Sequence, residues 1–302
     1  MKLSILTPTY NRACLLERAF ASLCKQSCLD FEWVVVDDGS VDNSETLIQK
    51  FIEKETNFKI KYFKQENGGK HRALNNGIKH VEGDYVLILD SDDYLTSDAV
   101  ETTYKWIEEI KDLPNMAGIA GLRGWADRED AIGGFIKEDF IDCTNIERKK
   151  FGLSGDKVEV YKTSILKEFS FPEFENEKFL SEACVWDLIA KHGYKIRWYN
   201  KIIYKCDYLE GGLTKSLNED VLLKNFQGYT CYVKVYVSTH HGLTKLNLIG
   251  CYNKIARKKG LHPKEIASNL SIGLFTLFMG RIIHKLNTVV KKIKGGRSES
   301  RR

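Results

Sequence analysis

The sequence predicts an α/β protein, with a mostly parallel sheet flanked by helices and a helical C-terminal extension. Three observations carry this. Short apolar runs alternate with helical stretches through the first 110 positions, which is the pattern of βαβ units. Each run ends in a polar cluster, in turn TPTYN, DDGS, ENGG and DSDD. From about residue 218 onward the periodicity is mostly helical.

Leu3–Leu6 is the first expected strand, closing at Thr7-Pro8 because proline cannot donate to a central ladder. Asn11 is the expected cap of a helix carrying Leu15, Leu16, Phe20 and Leu23. Val34-Val35-Val36 is continuous and β-branched, as in a strand covered on both faces. It breaks at Asp37-Asp38-Gly39-Ser40, and Asp42 with Glu45 forms a capping box for a helix with Leu47, Ile48, Phe51 and Ile52. Ile60–Phe63 is a third strand, Asn67-Gly68-Gly69 a turn, and 70–80 a helix. Val86–Leu89 is the fourth strand, and Ser97 caps a helix through Trp106 to about Ile110.

Past residue 114 the alternation loosens. Residues 121–157 read as an irregular excursion, followed by strands at Val158–Tyr161 and Tyr194–Tyr199, with a helix near 181–191 between them. The expected division is 1–215, in halves 1–110 and 111–215, and then a helical extension, 216–302.

Composition narrows the class. With 302 residues, 43% hydrophobic and 29% charged, the chain can bury a large core and reads as soluble and globular. No run of 18 apolar residues requires a membrane span, and the first apolar run is too short for a signal peptide. Eight cysteines lie outside any CxxC or zinc-type spacing, so free thiols in a reducing cytosol are expected. The net charge of +5 is unevenly spread: from Arg281 to the end there are eight Lys/Arg against one Glu. The body is therefore slightly acidic, which argues against nucleic acid as a partner.

Asp90-Ser91-Asp92 follows the fourth strand at the sheet edge where α/β proteins bind ligands. Two carboxylates on such a turn suit a hard cation, Mn²⁺ or Mg²⁺, that shares its remaining sites with phosphates. The plainer reading is a solvated acidic turn that caps the next helix.

PTYNR (8–12), VVVDDGSVDNS (34–44), ENGGKHRALNNG (66–77) and DSDDYL (90–95), in this order, resemble the family 2 inverting glycosyltransferases of the GT-A fold. The likeness is specific over about 1–110 and looser to about 210. It implies a nucleotide-binding half, 1–110, and an acceptor half, 111–215. Pro8 and Tyr10 would line the nucleotide base, and Asp38 or Asp37 would accept a hydrogen bond from uracil. Asn67 and its glycines would let the backbone approach the nucleotide. Asp90 would face the ribose and, with Asp92, the Mn²⁺ or Mg²⁺ ion. Many members carry an arginine near the phosphates where this chain has Leu74, so Lys70, His71 and Arg72 are the candidates to replace it.

The family places its general base at the last acid of a Glu-Asp pair that opens a helix shortly before a tryptophan. Counting back from Trp186 gives Glu182, with Ser181 where the first acid stands. Asp187 is the rival. Gly155-Asp156-Lys157 and Glu210-Gly211-Gly212 are candidate loops around donor sugar and acceptor, or ordinary turns.

In the tail, Ile266, Leu270, Leu274, Leu277, Phe278, Ile282, Leu286, Val289 and Ile293 form one helical stripe that ends in basic residues. Over 264–302 this reads as an element for an anionic membrane surface, or as a helix packed on the catalytic domain or on a second subunit. The implied activity moves a sugar from a nucleotide-sugar, a UDP-sugar first, to a saccharide or lipid-linked acceptor in bacterial surface polysaccharide synthesis. The implied location is cytoplasmic, at the inner face of the membrane. A nucleotidyltransferase on a similar fold would want a glycine-rich loop near the N-terminus, which TPTYNRA lacks. A non-catalytic sugar-nucleotide binding module would keep Asp38 and Asp92 and need no base.

Overall fold

The computed structural model of the chain describes residues 2–55, 57–207 and 218–299, with side chains through 290. It divides into two compact units, 1–173 with 188–215, and 174–187 with 216–302. This differs from a division at 215 in one segment, 174–187, which groups with the C-terminal residues.

In the first unit, β1 (Leu3–Thr9), β2 (Phe31–Asp37), β3 (Lys59–Lys64) and β4 (Tyr85–Ile88) lie parallel in the order β3-β2-β1-β4. They are joined by α1 (Ala13–Cys24), α2 (Ser44–Lys54) and α3 (Lys70–His80). Both faces of β1 and β2 are covered, as the unbroken apolar run of β2 requires. Next in the chain come β5 (Tyr94–Leu95), α4 (Ala99–Ile110), β6 (Met116–Trp125), β7 (Phe140–Cys143), β8 (Lys157–Lys162), α5 (Thr163–Glu168), α6 (Ala183–Lys191) and β9 (Lys195–Cys206). The sheet continues β4-β8-β6-β9-β5, with β7 beside β9. Here only β6 and β9 pair in parallel, and the other four pairings are antiparallel. The expected α/β sheet flanked by helices is present, and its all-parallel part is the first four strands.

Three local expectations are corrected. β1 does not stop before Pro8 but runs to Thr9. Leu6 O accepts from Leu89 on the β4 side, and Thr9 O accepts from Asp38 on the β2 side. That alternation turns the Pro8 nitrogen toward β4, where pairing ends at Leu6↔Ile88. The missing N–H therefore leaves no gap in the ladder. Asn11 does not cap α1: it sits at φ 51°, and its Oδ1 accepts from Val41 N in the neighbouring loop at 2.9 Å. Asp42 lies one residue outside a cap of α2; its carboxylate takes the Ser44 and Ala13 N–H groups, both at 3.0 Å, and so ties the starts of α1 and α2 together.

β6 is the element the sequence hid. MAGIAGLRGW is interrupted by Gly118, Gly121 and Gly124, yet it is a buried strand between β8 and β9. The glycines are there because the neighbours come close. A Cβ on Gly118 would meet Val160 O at 2.0 Å, and one on Gly121 would meet Ile203 Cγ1 at 2.9 Å.

The second unit holds α7 (Glu219–Lys224), α8 (Phe226–Thr239), α9 (Gly242–Lys258), α10 (Pro263–Asn269) and α11 (Leu274–Glu299). Asn218 Oδ1 caps α7 by accepting from Asp220 N and Val221 N. The buried Glu177 carboxylate accepts from Gln227 N and Gly228 N at the start of α8, both at 2.7 Å. The core gathers Tyr229, Val233, Ile249, Tyr252, Ile255, Ile266, Leu270 and Leu277.

The expected eight-turn stripe is not one helix. It breaks after Asn269, and α11 leaves α10 at 98°. Ile266, Leu270 and Leu277 are buried in this unit, whereas Phe278, Leu286 and Val289 are exposed. No single helix among the described residues is long and apolar enough to cross a membrane.

Candidate active site

The four polar clusters at the carboxyl ends of β1 to β4 are linked to one another. Asn11 N donates to Ser40 Oγ at 2.9 Å, joining the β1 and β2 loops. Asp38 joins the β2 loop to the β3 loop. Lys70 Nζ lies 2.6 Å from Asp90 Oδ1, joining the start of α3 to the β4 loop. Arg12 Nη1 lies 3.6 Å from Asp92 Oδ2, returning from β4 to β1.

Asp38 is the most engaged of these residues. Its Oδ1 accepts from Gly68 N and Gln65 Nε2, both at 2.8 Å. Its Oδ2 accepts from Gly69 N at 2.7 Å and Asn67 Nδ2 at 3.1 Å. All four lone pairs are thus occupied. Gly39, at φ +81°, lets this happen, since a Cβ there would stand 2.8 Å from Asn67 N. Asp37 is less committed: Oδ1 accepts from Ser40 N at 2.7 Å, and Oδ2 accepts from the Tyr62 hydroxyl at 2.8 Å. Pro8 is buried within β1, and Tyr10, just past its end, is 46% exposed.

The cation candidates separate cleanly. Leu74 is buried in the sheet–helix core, as is His71. Arg72 pairs with Glu173 at 3.4 Å. Lys70 faces the acidic turn.

Asp90 is held from a second side as well. Arg123, on β6, places Nη1 3.5 Å from Asp90 Oδ2 and 3.7 Å from Asp93 Oδ2. Its guanidinium lies over the Tyr204 ring, 4.4 Å from the centroid. The Tyr204 hydroxyl donates to Asp93 Oδ2 at 2.8 Å and accepts from Asp90 N at 3.0 Å. Burial alone would raise the Asp90 pKa, but Lys70 and Arg123 outweigh it and hold the carboxyl below its ordinary value. For Asp93, burial and the nearby Asp90 charge prevail over Arg123 and push the pKa up to about 7. Neighbouring carboxylates in one turn are thus driven apart, one ionised and one near neutrality. Asp92, between them, is partly exposed, and its backbone carbonyl accepts from Arg18.

In the second unit, Glu182 is part-buried immediately before α6, and its carbonyl accepts from Val185 N and Trp186 N. Asp187 is buried, with Oδ2 3.7 Å from His240 Nδ1. In the loop at Gly155-Asp156-Lys157, the buried Lys157 ammonium donates to the carbonyls of Ser154, Ile132 and Asp156 at 2.6, 3.2 and 3.3 Å. Burial, with Arg148 adding to it, lowers the Lys157 pKa to about 8. Glu210-Gly211-Gly212 lies outside the described residues.

Sequence reading missed Arg12, Arg123, Tyr204 and Asp93. Arg12 stood in the quoted PTYNR and Asp93 in DSDD, so a signal existed for both. Arg123 and Tyr204 reach the turn from β6 and β9 and belong to no local motif.

Comparison with known proteins agrees with this geometry. Residues 4–151 match the sequence profile of Glycosyl transferase family 2. The chain is 33% identical over 193 residues to the GalNAc(5)-diNAcBac-PP-undecaprenol beta-1,3-glucosyltransferase of Campylobacter jejuni, covering 61% of this chain and 58% of that protein. It is 31% identical over 178 residues to the poly(ribitol-phosphate) beta-N-acetylglucosaminyltransferase TarS of Staphylococcus aureus, covering 57% of this chain and 30% of that one. It therefore spans less than two thirds of either relative. Among solved structures, S. aureus TarS 1–349 in complex with UDP-GlcNAc superposes with a TM-score of 0.61 at 20% identity, over 94% of this chain and 91% of that one. The mannosyltransferase PcManGT from Pyrobaculum calidifontis, in complex with GDP-Man and Mn²⁺, gives 0.57 at 14% identity, over 99% and 80%. At these identities the two structures speak for the fold. The matched residues 4–151, which carry all four linked clusters, are a glycosyl transferase family 2 region.

Proposed function

We propose that the chain is a metal-dependent inverting glycosyltransferase that moves a sugar from a UDP-sugar to a saccharide or lipid-linked acceptor in bacterial surface polysaccharide synthesis. The observation that carries this reading is the closed set of links among the ends of β1 to β4, through Asn11, Asp38, Lys70 and Asp92. The relatives support the substrate class. One names a PP-undecaprenol-linked saccharide and a glucosyl transfer, and the other names N-acetylglucosaminyl transfer to poly(ribitol-phosphate).

The acidic turn suits a hard divalent cation, Mn²⁺ or Mg²⁺, held by Asp90 and Asp92. Asp92 is partly exposed, and its ion-pair partner Arg12 stays at 3.6 Å, so its oxygens are open to a further ligand. No three His, Cys, Asp or Glu side chains among the described residues form a ready cage, so the remaining ligands would come from the donor diphosphate. When bound, the cation supplies positive charge against the charge that grows on the leaving diphosphate.

The chain's own residues do the rest. Asp37, whose oxygens each accept a single hydrogen bond, keeps lone pairs for the uracil N–H. The committed Asp38 instead fixes the loop around Asn67 against which the nucleotide lies. Pro8 and Tyr10 flank the base, and Lys70 answers the phosphates in place of the arginine replaced by Leu74. An inverting transfer is one displacement, with the acceptor hydroxyl attacking opposite the leaving group. Glu182 takes the hydroxyl proton on its carboxylate. The enzyme works on the cytoplasmic side, peripheral to the membrane.

A thermal-shift panel of UDP-, GDP-, CMP- and dTDP-sugars, each with and without Mn²⁺, tests the donor assignment. The matching donor stabilises the fold by mass action, and more so with the cation. Equal curves for every nucleotide would sink the reading.

A further inference from the structure

The helix α11 is apolar on two opposite sides. Leu277, Gly280 and His284 form the packed side. A Cβ on Gly250 of α9 would fall 2.3 Å from Gly280 O, and His284 Nδ1 lies 3.3 Å from Cys251 Sγ. About 200° round the helix from Gly280 stands Ile282, in a second stripe of Phe275, Phe278, Leu286 and Val289. Their spacing of three and four residues puts them in one line. Phe275 is 76% exposed, Phe278 53%, Leu286 56% and Val289 54%. A helix that merely closes the core of its unit would present polar residues there.

Charge says what covers this face. Arg281 and Lys285 are exposed, and the helical spacing sets both along one edge of the stripe. From Arg281 to the end the chain carries eight Lys/Arg and one Glu. A second copy of the same chain, docked face to face, would bring one basic tail against another. A layer of anionic lipid headgroups over hydrocarbon offers charge of the opposite sign and an apolar medium for the rings.

We infer that the Phe275–Val289 face of α11 is the surface by which this chain lies on an anionic bilayer, with Arg281 and Lys285 at the headgroups. This rests on the peripheral location proposed for the enzyme and identifies its contact. It also narrows the 264–302 stripe. Ile266, Leu270 and Leu277 hold the C-terminal unit together, and the lipid face begins at α11.

The test is cosedimentation of the full chain with vesicles of phosphatidylcholine alone and of phosphatidylcholine with phosphatidylglycerol. The wild type should bind the phosphatidylglycerol vesicles and lose binding as salt rises. F275S/F278S, at exposed positions that leave the core intact, should weaken binding about a hundredfold. R281Q/K285Q should weaken it about tenfold or more, on the anionic vesicles only. UDP-sugar binding should be unchanged in both. If the wild type binds and both variants bind equally well, the peripheral location stands and this face is wrong. If the wild type ignores anionic vesicles, the location itself fails. A wild-type dimer in light scattering that F275S/F278S turns into a monomer, with no vesicle binding, would overturn the lipid assignment in favour of a second copy.

Discussion

Lys70 Nζ stands 2.6 Å from Asp90 Oδ1, in the first turn of the helix that follows the glycine turn. A cation so placed neutralises the Asp90 carboxylate, and in the proposed function it is the side chain that meets the donor phosphates. Lys70→Gln should therefore weaken binding of UDP and UDP-sugars by about ten- to a hundredfold, the range of one charge-assisted hydrogen bond. Uridine should bind both proteins alike. Arg72→Gln, whose partner is Glu173, should leave UDP binding untouched. Calorimetric titration with the two ligands separates these outcomes, and a Lys70→Gln protein with unaltered UDP affinity would refute the assignment.

Asp92→Asn should keep the fold and lose the Mn²⁺-dependent part of donor binding. A site with two protein carboxylates loses most of its affinity with one of them. Thermal shift with UDP-sugar, with and without Mn²⁺, should show the cation increment disappear. Sugar transfer at the wild-type rate would reduce the acidic turn to a plain cap.

Glu182→Gln preserves the side chain's shape and removes its ability to take a proton. Transfer should fall about 10²–10⁴-fold, with donor and cation binding unchanged. Asp187→Asn should behave differently: Asp187 is buried against His240, so stability should drop while turnover per folded molecule holds. Loss of transfer in Asp187→Asn alone would move the base one turn further along the helix.

Asp38→Asn puts an NH₂ group where a carboxylate oxygen now accepts from two donors. The part-buried donors left facing it should destabilise the protein by about 1–3 kcal/mol, visible as a fall in Tm. A Tm within a degree of wild type would mean that the loop at Gly68 holds without the carboxylate.

Lys157 gives a pH signature. Its pKa falls from 10.5 to about 8 on folding, so between those values the unfolded chain binds more protons than the folded one. In that window the stability this group contributes therefore rises with pH, and below it the buried charge is a constant penalty. Wild type should gain on Lys157→Met between pH 8 and pH 10 by on the order of 2 kcal/mol. Urea unfolding midpoints at the two pH values check this, and parallel behaviour would place the ammonium in water.

The first four strands and their linked ends were legible because the polar residues are written where each strand ends. Asp38, Asn67, Lys70 and Asp90 are all within a few residues of a strand terminus, in chain order. Pro8 misled because a rule about proline in sheets depends on which neighbour its nitrogen faces, and that is a matter of register. Arg123 and Tyr204 were invisible because β6 and β9, from later in the chain, bring them to the acidic turn, and no spacing announces such an approach. The tail stripe failed in another way. Helical periodicity continued across 264–293, but Ser271 at φ 54°, between α10 and α11, helps turn the chain, and one stripe became two faces.

The glycines of β6 have a consequence for anyone who scans this protein by saturation mutagenesis. Gly118 would drive a Cβ to 2.0 Å from the Val160 carbonyl, and Gly121 and Gly124 would press Ile203 and Ile202. Every substitution at Gly118 should deplete as sharply as Glu182→Gln, the substitution at the proposed base, although the cause at Gly118 is a clash inside the sheet. The two kinds of intolerance part in the surviving protein. Gly118 variants should vanish from the soluble fraction, whereas Glu182→Gln should accumulate in it, folded and silent. A screen that reads abundance beside activity would tell them apart, and one that reads activity alone would draw the active site through the middle of the sheet.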